Sequence, residues 1–335
     1  MSRKINWGVL STAKIGVEKV IPAMQRGELT TIGAIASRDA ARAEAVAARL
    51  GIPRAYGSYE ELLADPSIEA IYNPLPNHLH VPWTIRALEA GKSVLCEKPV
   101  GLDATEAQRL VEASARTGRL VAEAFMVRHH PQWRKAKEIV AGGRIGEARA
   151  VQTLFSYYLT DPANIRNQAE IGGGGLYDIG CYAINTARYL FEAEPERAIG
   201  LFDTDPAMRT DRMMSGLAEF GSGRQLAFTC ATQLVPCQRV QIMGTHGRIE
   251  VEIPFNAPAD EPTRLVVDDG RDLAGSGREV IELPAADQYT LQGDAFSRAV
   301  LGERPLEWTV ADAVLNMRVI DAFFRSARSE RWERP

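Results

Sequence analysis

Two stretches of this chain carry side chains whose types and spacing suit proton transfer at a hydroxyl. The first is Val94-Leu95-Cys96-Glu97-Lys98-Pro99, an apolar run that ends in two opposite charges and a proline. A lysine at the carboxyl end of a strand projects into the crevice where open parallel sheets bind ligands. An exposed loop lysine is the alternative. The second is Gly173-Gly174-Gly175-Leu176-Tyr177-Asp178-Ile179-Gly180-Cys181-Tyr182. With a helix beginning near Leu176, Asp178 and Tyr182 stand four apart and share one face. The glycines let another backbone or a ligand approach the helix start closely. A carboxylate and a phenol together can orient and deprotonate a hydroxyl. A phenol with a pKa near ~10 is a poor base at neutral pH unless a cation lowers it. Lys98 supplies that cation if the two regions face each other.

These groups need a scaffold. Apolar runs at residues 5–10, 31–36, 68–72, 93–96 and 120–125 read as strands. Helical patterns over 15–26, 40–50, 59–64, 80–90 and 105–117 alternate with them. Asp39 is placed to cap the helix after it, and Ser58 with Glu61 forms a capping box. Strand–helix alternation of this length implies a parallel sheet with right-handed crossovers. Residues 1–126 are therefore expected to form a doubly wound Rossmann domain, in the α/β class. From Pro131 the rhythm changes to a helix over 132–141, a strand over 148–159 and a helix over 176–191. Extended segments follow at 198–203, 213–220, 225–233, 239–243, 248–253, 264–267 and 280–283, then closing helices over 289–301 and 310–326. Short connections between successive strands indicate an antiparallel or mixed sheet. Residues 127–335 thus read as a second, α+β domain, with 260–277 as an exposed excursion. A chain of 335 residues is long enough to require two cores, since single cores stop growing near ~250–300 residues.

The first strand leads into Ser11-Thr12-Ala13-Lys14-Ile15-Gly16. A dinucleotide-binding turn needs small residues at its first, third and sixth positions, here Ser11, Ala13 and Gly16. Amides at the helix start then face the phosphates. Ser11, Thr12, Ala13, Lys14 and Ile15 are accordingly expected at the cofactor, an ordinary strand-to-helix turn being the alternative. After the second strand, a cofactor with a free ribose hydroxyl usually meets an acidic residue about 20 positions on. This chain offers Ser37-Arg38, a hydroxyl and a guanidinium that suit a 2′-phosphate. NADP is favoured over NAD; the competing reading leaves Arg38 in solvent and gives the ribose to Asp39. Tyr72-Asn73-Pro74-Leu75-Pro76-Asn77, with His80 beyond, follows another strand. Pro74, Leu75, Asn77, His80, Glu97 and Lys98 are expected to line the nicotinamide end, or the loop is a rigid connection. Arg128 and Arg166 are candidates for the substrate border, with solvated or structural arginines as the alternative.

The composition, 45% hydrophobic and 24% charged, is globular and excludes a disordered or coiled-coil chain. A net charge of −4 argues against a nucleic-acid partner. No run of ~18 apolar residues is present, so no membrane span is expected. Asn6 interrupts the apolar stretch of MSRKINWGVLS, which reads as a cytoplasmic start. The four cysteines and five histidines show no metal-ligand spacing, and no metal is expected.

Together the small-residue turn, Pro76-Asn77 with His80, Glu97-Lys98-Pro99, and the glycine run with Asp178 and Tyr182 resemble the glucose–fructose oxidoreductase/inositol dehydrogenase-type family. The resemblance covers essentially the whole chain. It implies a second domain with a large open, mainly antiparallel sheet, used to form a homodimer or homotetramer. It also implies hydride exchange between nicotinamide C4 and a carbon of a small sugar or polyol. Lys98 matches the family's catalytic lysine, and Tyr182 matches the tyrosine of the aldose- and dihydrodiol-dehydrogenase branches; the inositol-oxidising branch carries histidine there. The expectation is an NADP-dependent oxidoreductase acting at C1 of an aldose, with Tyr182 as base, Lys98 favouring the phenolate and Asp178 orienting the pair. Redox-neutral glycoside hydrolysis, a glucose–fructose-type reaction with retained cofactor, and a non-catalytic NADP sensor remain as alternatives.

Overall fold

Six short strands rich in branched and small residues form one parallel sheet: β1 (Ile5–Leu10), β2 (Thr30–Ala36), β3 (Arg54–Tyr56), β4 (Ala70–Asn73), β5 (Ser93–Cys96) and β6 (Val121–Glu123). Their order is β3-β2-β1-β4-β5-β6. Neighbours β1 and β4 are where the winding reverses, and the crevice beyond their carboxyl ends is the ligand position of this architecture. All residues of β4 and β5 are buried, as strands covered on both faces must be. The computed structural model describes residues 3–335 and divides into two units. The chain up to Met126 together with Tyr289–Met317 forms the first, and Val127–Gln288 with Arg318–Pro335 the second.

The helix expected over 15–26 is not uniform. It opens as a wide turn, Gly16–Val20, in which the Ile21 amide donates to the Gly16 carbonyl, and becomes an ordinary helix only at Ile21–Gln25. Pro22 explains this: it has no N–H to give to the carbonyl four residues back, and its ring crowds that carbonyl. The caps agree with expectation. Asp39 accepts from the Arg42 amide at 3.1 Å, Ser58 from the Glu61 amide at 3.2 Å, and Glu61 from the Gly57 amide at 3.1 Å. β3 had no sequence signal, being a half-buried edge strand of three residues.

The second unit holds an eight-stranded sheet of β7 (Ala148–Tyr158), β8 (Arg197–Thr204), β9 (Asp211–Glu219), β10 (Gln225–Ala231), β11 (Gln233–Gly244), β12 (Arg248–Val251), β13 (Thr263–Asp268) and β14 (Arg278–Leu283). Its order is β14-β13-β12-β11-β7-β10-β9-β8, antiparallel throughout except between β7 and β10. Helix Cys181–Phe191 is buried along its whole length. Exposed apolar residues, among them Leu154, Leu201, Met213 and Leu217, lie along β7, β8 and β9. The stretch 260–277 is only partly an excursion: Leu265 and Val267 are buried in β13, because alternate residues there face the core. Among the described residues no helix is long and apolar enough to cross a membrane.

Residues 289–317, expected in the second domain, group with the first. The cause is Trp7. Fully buried in β1, it donates from Nε1 to Ser297 Oγ at 3.1 Å and packs against the Phe296 ring at 5.3 Å. Asp294 accepts the Glu28 and Leu29 amides at 2.9 and 2.8 Å, and the Thr290 hydroxyl donates to the Ala23 carbonyl. An amphipathic helix announces that it covers a core but not which one. Replacing Asp294 with Ala leaves two amides without their charged acceptor. Urea unfolding should show a loss of roughly 1–3 kcal/mol with an unchanged m-value.

Candidate functional site

At the end of β1 the Ser11 amide donates to the Ala36 carbonyl at 2.9 Å, and Ser11 Oγ accepts from the Ala13 amide at 3.2 Å. Ser11 has φ of 82°, a conformation that glycine adopts without cost. Here a serine holds it and uses its hydroxyl to brace the turn. At Gly16 an added Cβ would lie 3.5 Å from Tyr72 and 3.7 Å from Pro74, which is ordinary contact. The position is therefore not sterically reserved for glycine. Thr12 is buried, whereas Lys14 reaches outward to within 3.9 Å of Glu18. At the end of β2 the Ser37 amide donates to the Tyr56 carbonyl, and Ser37 Oγ accepts from the Asp39 amide. The Asp39 carboxylate is engaged as the helix cap, while Arg38 is exposed and close enough to lower the Tyr59 phenol, which burial otherwise raises. The charge presented at this corner is a guanidinium.

The loops after β4 and β5 are fastened to each other. Tyr72 donates to Glu97 at 2.7 Å, and the Glu97 amide donates to the Asn73 carbonyl at 3.0 Å. Fully buried Asn73 donates to the His80 carbonyl and to Thr84, and accepts the Leu75 amide. His80, expected at the cofactor, is buried and spans two loops, with Nδ1 2.7 Å from the Pro99 carbonyl and Nε2 2.6 Å from the Leu75 carbonyl. Burial pushes its pKa down to about 4, against the two carbonyls, which favour a proton on each ring nitrogen. The Lys98–Pro99 peptide is cis. Lys98 is half-buried between Glu97, held by Tyr72, and Pro99, held by His80. Pro74, Leu75 and Asn77 belong to this loop, Pro74 and Leu75 being buried and Asn77 half-buried.

In the second unit, Asp178 gathers three elements. Its Oδ2 accepts from the Tyr157 hydroxyl of β7 at 2.6 Å and from Arg166 Nε at 2.9 Å. The Asp178 charge raises the Arg166 pKa, with Tyr157 and Tyr182 adding smaller contributions of the same sign. Burial, then Asp178, pushes the Tyr157 phenol far above its ordinary range. Tyr182 is buried, its ring 5.3 Å from Phe255 and edge-on to Phe155 at 6.0 Å. Its helix also opens wide, Leu176–Gly180 preceding Cys181–Phe191.

The glycine run serves close backbone approach. The Gly173 amide donates to the Gln168 carbonyl and the Gly174 amide to the Arg166 carbonyl, each at 2.9 Å. A Cβ on Gly173 would sit 2.7 Å from both carbonyl oxygens, and one on Gly174, at φ of 124°, would sit 1.9 Å from Asp211 Oδ1. Tyr157 and Asp211 were not anticipated. Tyr157 shares the strand parity of core residue Phe155, the one signal that could have found it. Arg128, a candidate for the substrate border, is buried and committed elsewhere: Nε donates to Asn185 Oδ1 at 2.8 Å, Nη2 to the Asn185 carbonyl, and the guanidinium lies 5.7 Å from the Tyr189 ring centre.

Comparison with known proteins agrees with both halves of this architecture. Residues 5–125 match the model of an oxidoreductase family with an NAD-binding Rossmann fold, and residues 133–250 match a GFO/IDH/MocA C-terminal domain. The chain is 49% identical over 329 residues to the uncharacterized oxidoreductase ORF334 of Rhizobium meliloti, covering 98% of each. It is 40% identical to D-xylose 1-dehydrogenase (NADP(+)) 2 of Haloferax volcanii, covering 96% of this chain and 97% of that one. Among solved structures, the 3-ketoreductase KijD10 of Actinomadura kijaniata, in complex with NADP and TDP-benzene, is similar with a TM-score of 0.90 and 32% identity, over 96% of this chain and 98% of its own.

The clearance at the glycine run gives a contrast of two alanines. Gly174→Ala adds a left-handed β-carbon onto the Asp211 carboxylate and should cost about 3 kcal/mol or more, read as a fall in thermal midpoint. Gly143→Ala, also at positive φ but in open space, should cost only about 1 kcal/mol.

Proposed function

The chain belongs to the GFO/IDH/MocA oxidoreductase family, and from that premise we propose that it is an NADP-dependent dehydrogenase oxidising C1 of an aldose. The observation that carries the reading is the set at Asp178: an ion pair with Arg166, the Tyr157 hydroxyl on the same carboxylate oxygen, and Tyr182 within their electrostatic reach. Arg166 has its charge met by Asp178, which makes the surface dipolar rather than cationic. Such a surface suits a neutral, hydroxyl-rich substrate better than a nucleotide diphosphate, which favours an unmatched guanidinium.

In this reading Tyr182 accepts the proton of the anomeric hydroxyl, Lys98 favours the phenolate, and Asp178 with Arg166 orients the sugar. Glu97 and Pro99, each held in its loop, fix the base of the lysine side chain. NADP, when bound, supplies the hydride acceptor. Ser11 to Ile15 hold its pyrophosphate, and Ser37 with Arg38 its 2′-phosphate. Asp39 supports this choice, because a carboxylate spent on a helix cap is not turned to a ribose hydroxyl. Pro74, Leu75 and Asn77 border the nicotinamide. The first unit serves as the cofactor domain and the second as the substrate domain. The exposed apolar residues of the second sheet, Leu201 and Leu217 among them, support a homodimer or homotetramer formed through it. Buried free thiols at Cys96, Cys181 and Cys230 accord with a cytoplasmic enzyme.

A plate assay of aldoses, polyols and trans-dihydrodiols with NADP and NAD in parallel tests this. Reduced-nicotinamide absorbance should grow with an aldose and NADP; growth only with NAD, or with no aldose, overturns the reading. On the best sugar, Tyr182→Phe should lower kcat by about 10²–10⁴ while leaving the Kd for NADP unchanged. Wild-type turnover in that variant would remove Tyr182 from the chemistry.

A further inference from the structure

Asp211 opens β9, and its side chain is buried under the turn that starts the Tyr182 helix. Its Oδ2 accepts the Leu176 amide at 2.6 Å, and the Gly175 amide also donates to the carboxylate. The missing side chain at Gly174 makes room for it, since a Cβ there would lie 1.9 Å from Oδ1. Amides in the first turn of a helix lack partners within the helix, and a side-chain oxygen that takes them decides where the helix begins.

We propose that Asp211 is a positioning residue: by gripping the Gly175 and Leu176 amides it sets the start of the helix and so the placement of Asp178 and Tyr182. The inference rests on the reading of those two as working groups. Asp211 touches neither of them through a hydrogen bond of its own to their side chains; it acts through the backbone between them. Its grip depends on charge, because an ionised carboxylate accepts an amide proton more strongly than a neutral acid does.

Burial pushes the Asp211 carboxyl up to about 7, ahead of the opposing pull of the amides, and the Asp178 charge pushes the same way. Asp178 from the helix start and Cys230 from β10 are the titratable groups that face it, with uncharged Thr232 beside Gly175. The sign follows from linkage. A folded-state value raised above 3.8 means that the stability present below about 4 is lost as pH rises through about 7. Ionisation therefore tightens the helix start while it weakens the fold as a whole.

Amide NMR of the wild type reads the grip without any substrate. The Leu176 amide proton should move downfield with a midpoint near 7, and the Tyr182 ring resonances should move with the same midpoint. Asp211→Asn keeps one acceptor oxygen and no titrating proton, so both movements should vanish. With NADP and the best aldose, that variant should lose about tenfold or more in kcat, keep its KM for NADP within about twofold, and lose the limb of the kcat profile near neutral pH. An Asp211→Asn variant whose Leu176 amide and Tyr182 ring resonances coincide with those of the wild type overturns the proposal, as does a titrating amide beside a stationary Tyr182 ring. If no aldose is oxidised, the wild-type spectra still decide: coupled movement of the two signals upholds the positioning role while the substrate assignment fails. Should Asp211→Asn not fold, the wild-type titration alone decides between these outcomes.

Discussion

The second unit is organised around one half-buried carboxylate that is paired and hydrogen-bonded at a single oxygen. Asp178 holds Arg166 at 2.9 Å and the Tyr157 hydroxyl at 2.6 Å on the same oxygen. A partly buried carboxylate is costly to leave without charge-assisted partners, and these two supply them. Much of the surrounding construction follows. Arg166 must sit on a segment that approaches the helix start, so Gly173 and Gly174 have no side chains and donate to the carbonyls of Gln168 and Arg166. Phe155 and Phe255 pack against Tyr182 and hold its ring.

The first unit meets a different constraint, that of holding loops still without secondary structure. It uses side chains as struts. Asn73 reaches across to the start of the following helix, Tyr72 ties down Glu97, and His80 connects the Leu75 and Pro99 carbonyls. Each strut satisfies a backbone or side-chain group that burial would otherwise leave unpaired. Lys98 can be precisely placed on a loop because the residues flanking it are not free to move.

Much of this was legible in the chain itself. The period of the apolar runs gave the parallel sheet, and the caps at Asp39 and Ser58 lay where their residue types required. Glu97-Lys98-Pro99 and the glycine run were visible because they break the surrounding pattern. What stayed hidden is what depends on distant contacts. His80 looked like a polar residue beside a pocket; only the fold reveals that two carbonyls converge on its ring. Arg128 looked available until Asn185 and Tyr189 met it. Asp211 resembled any polar residue at the mouth of a strand, since the amides it serves lie far away in sequence. The closing helix at 289–301 was read as a helix correctly, but its partner, Trp7, stands at the other end of the chain.

That last pairing has a bearing on how the protein comes into being. A polypeptide leaves the ribosome from its amino terminus, commonly at about 5–20 residues per second, and domains tend to fold as they emerge. Here the nucleotide-binding half is not a contiguous leading segment. Until the stretch carrying Asp294, Phe296 and Ser297 has been synthesised, the indole of Trp7 lacks its cover and the amides of Glu28 and Leu29 lack their acceptor. The strand carrying Trp7 therefore completes its packing only once a segment some 290 residues further along the sequence has joined it.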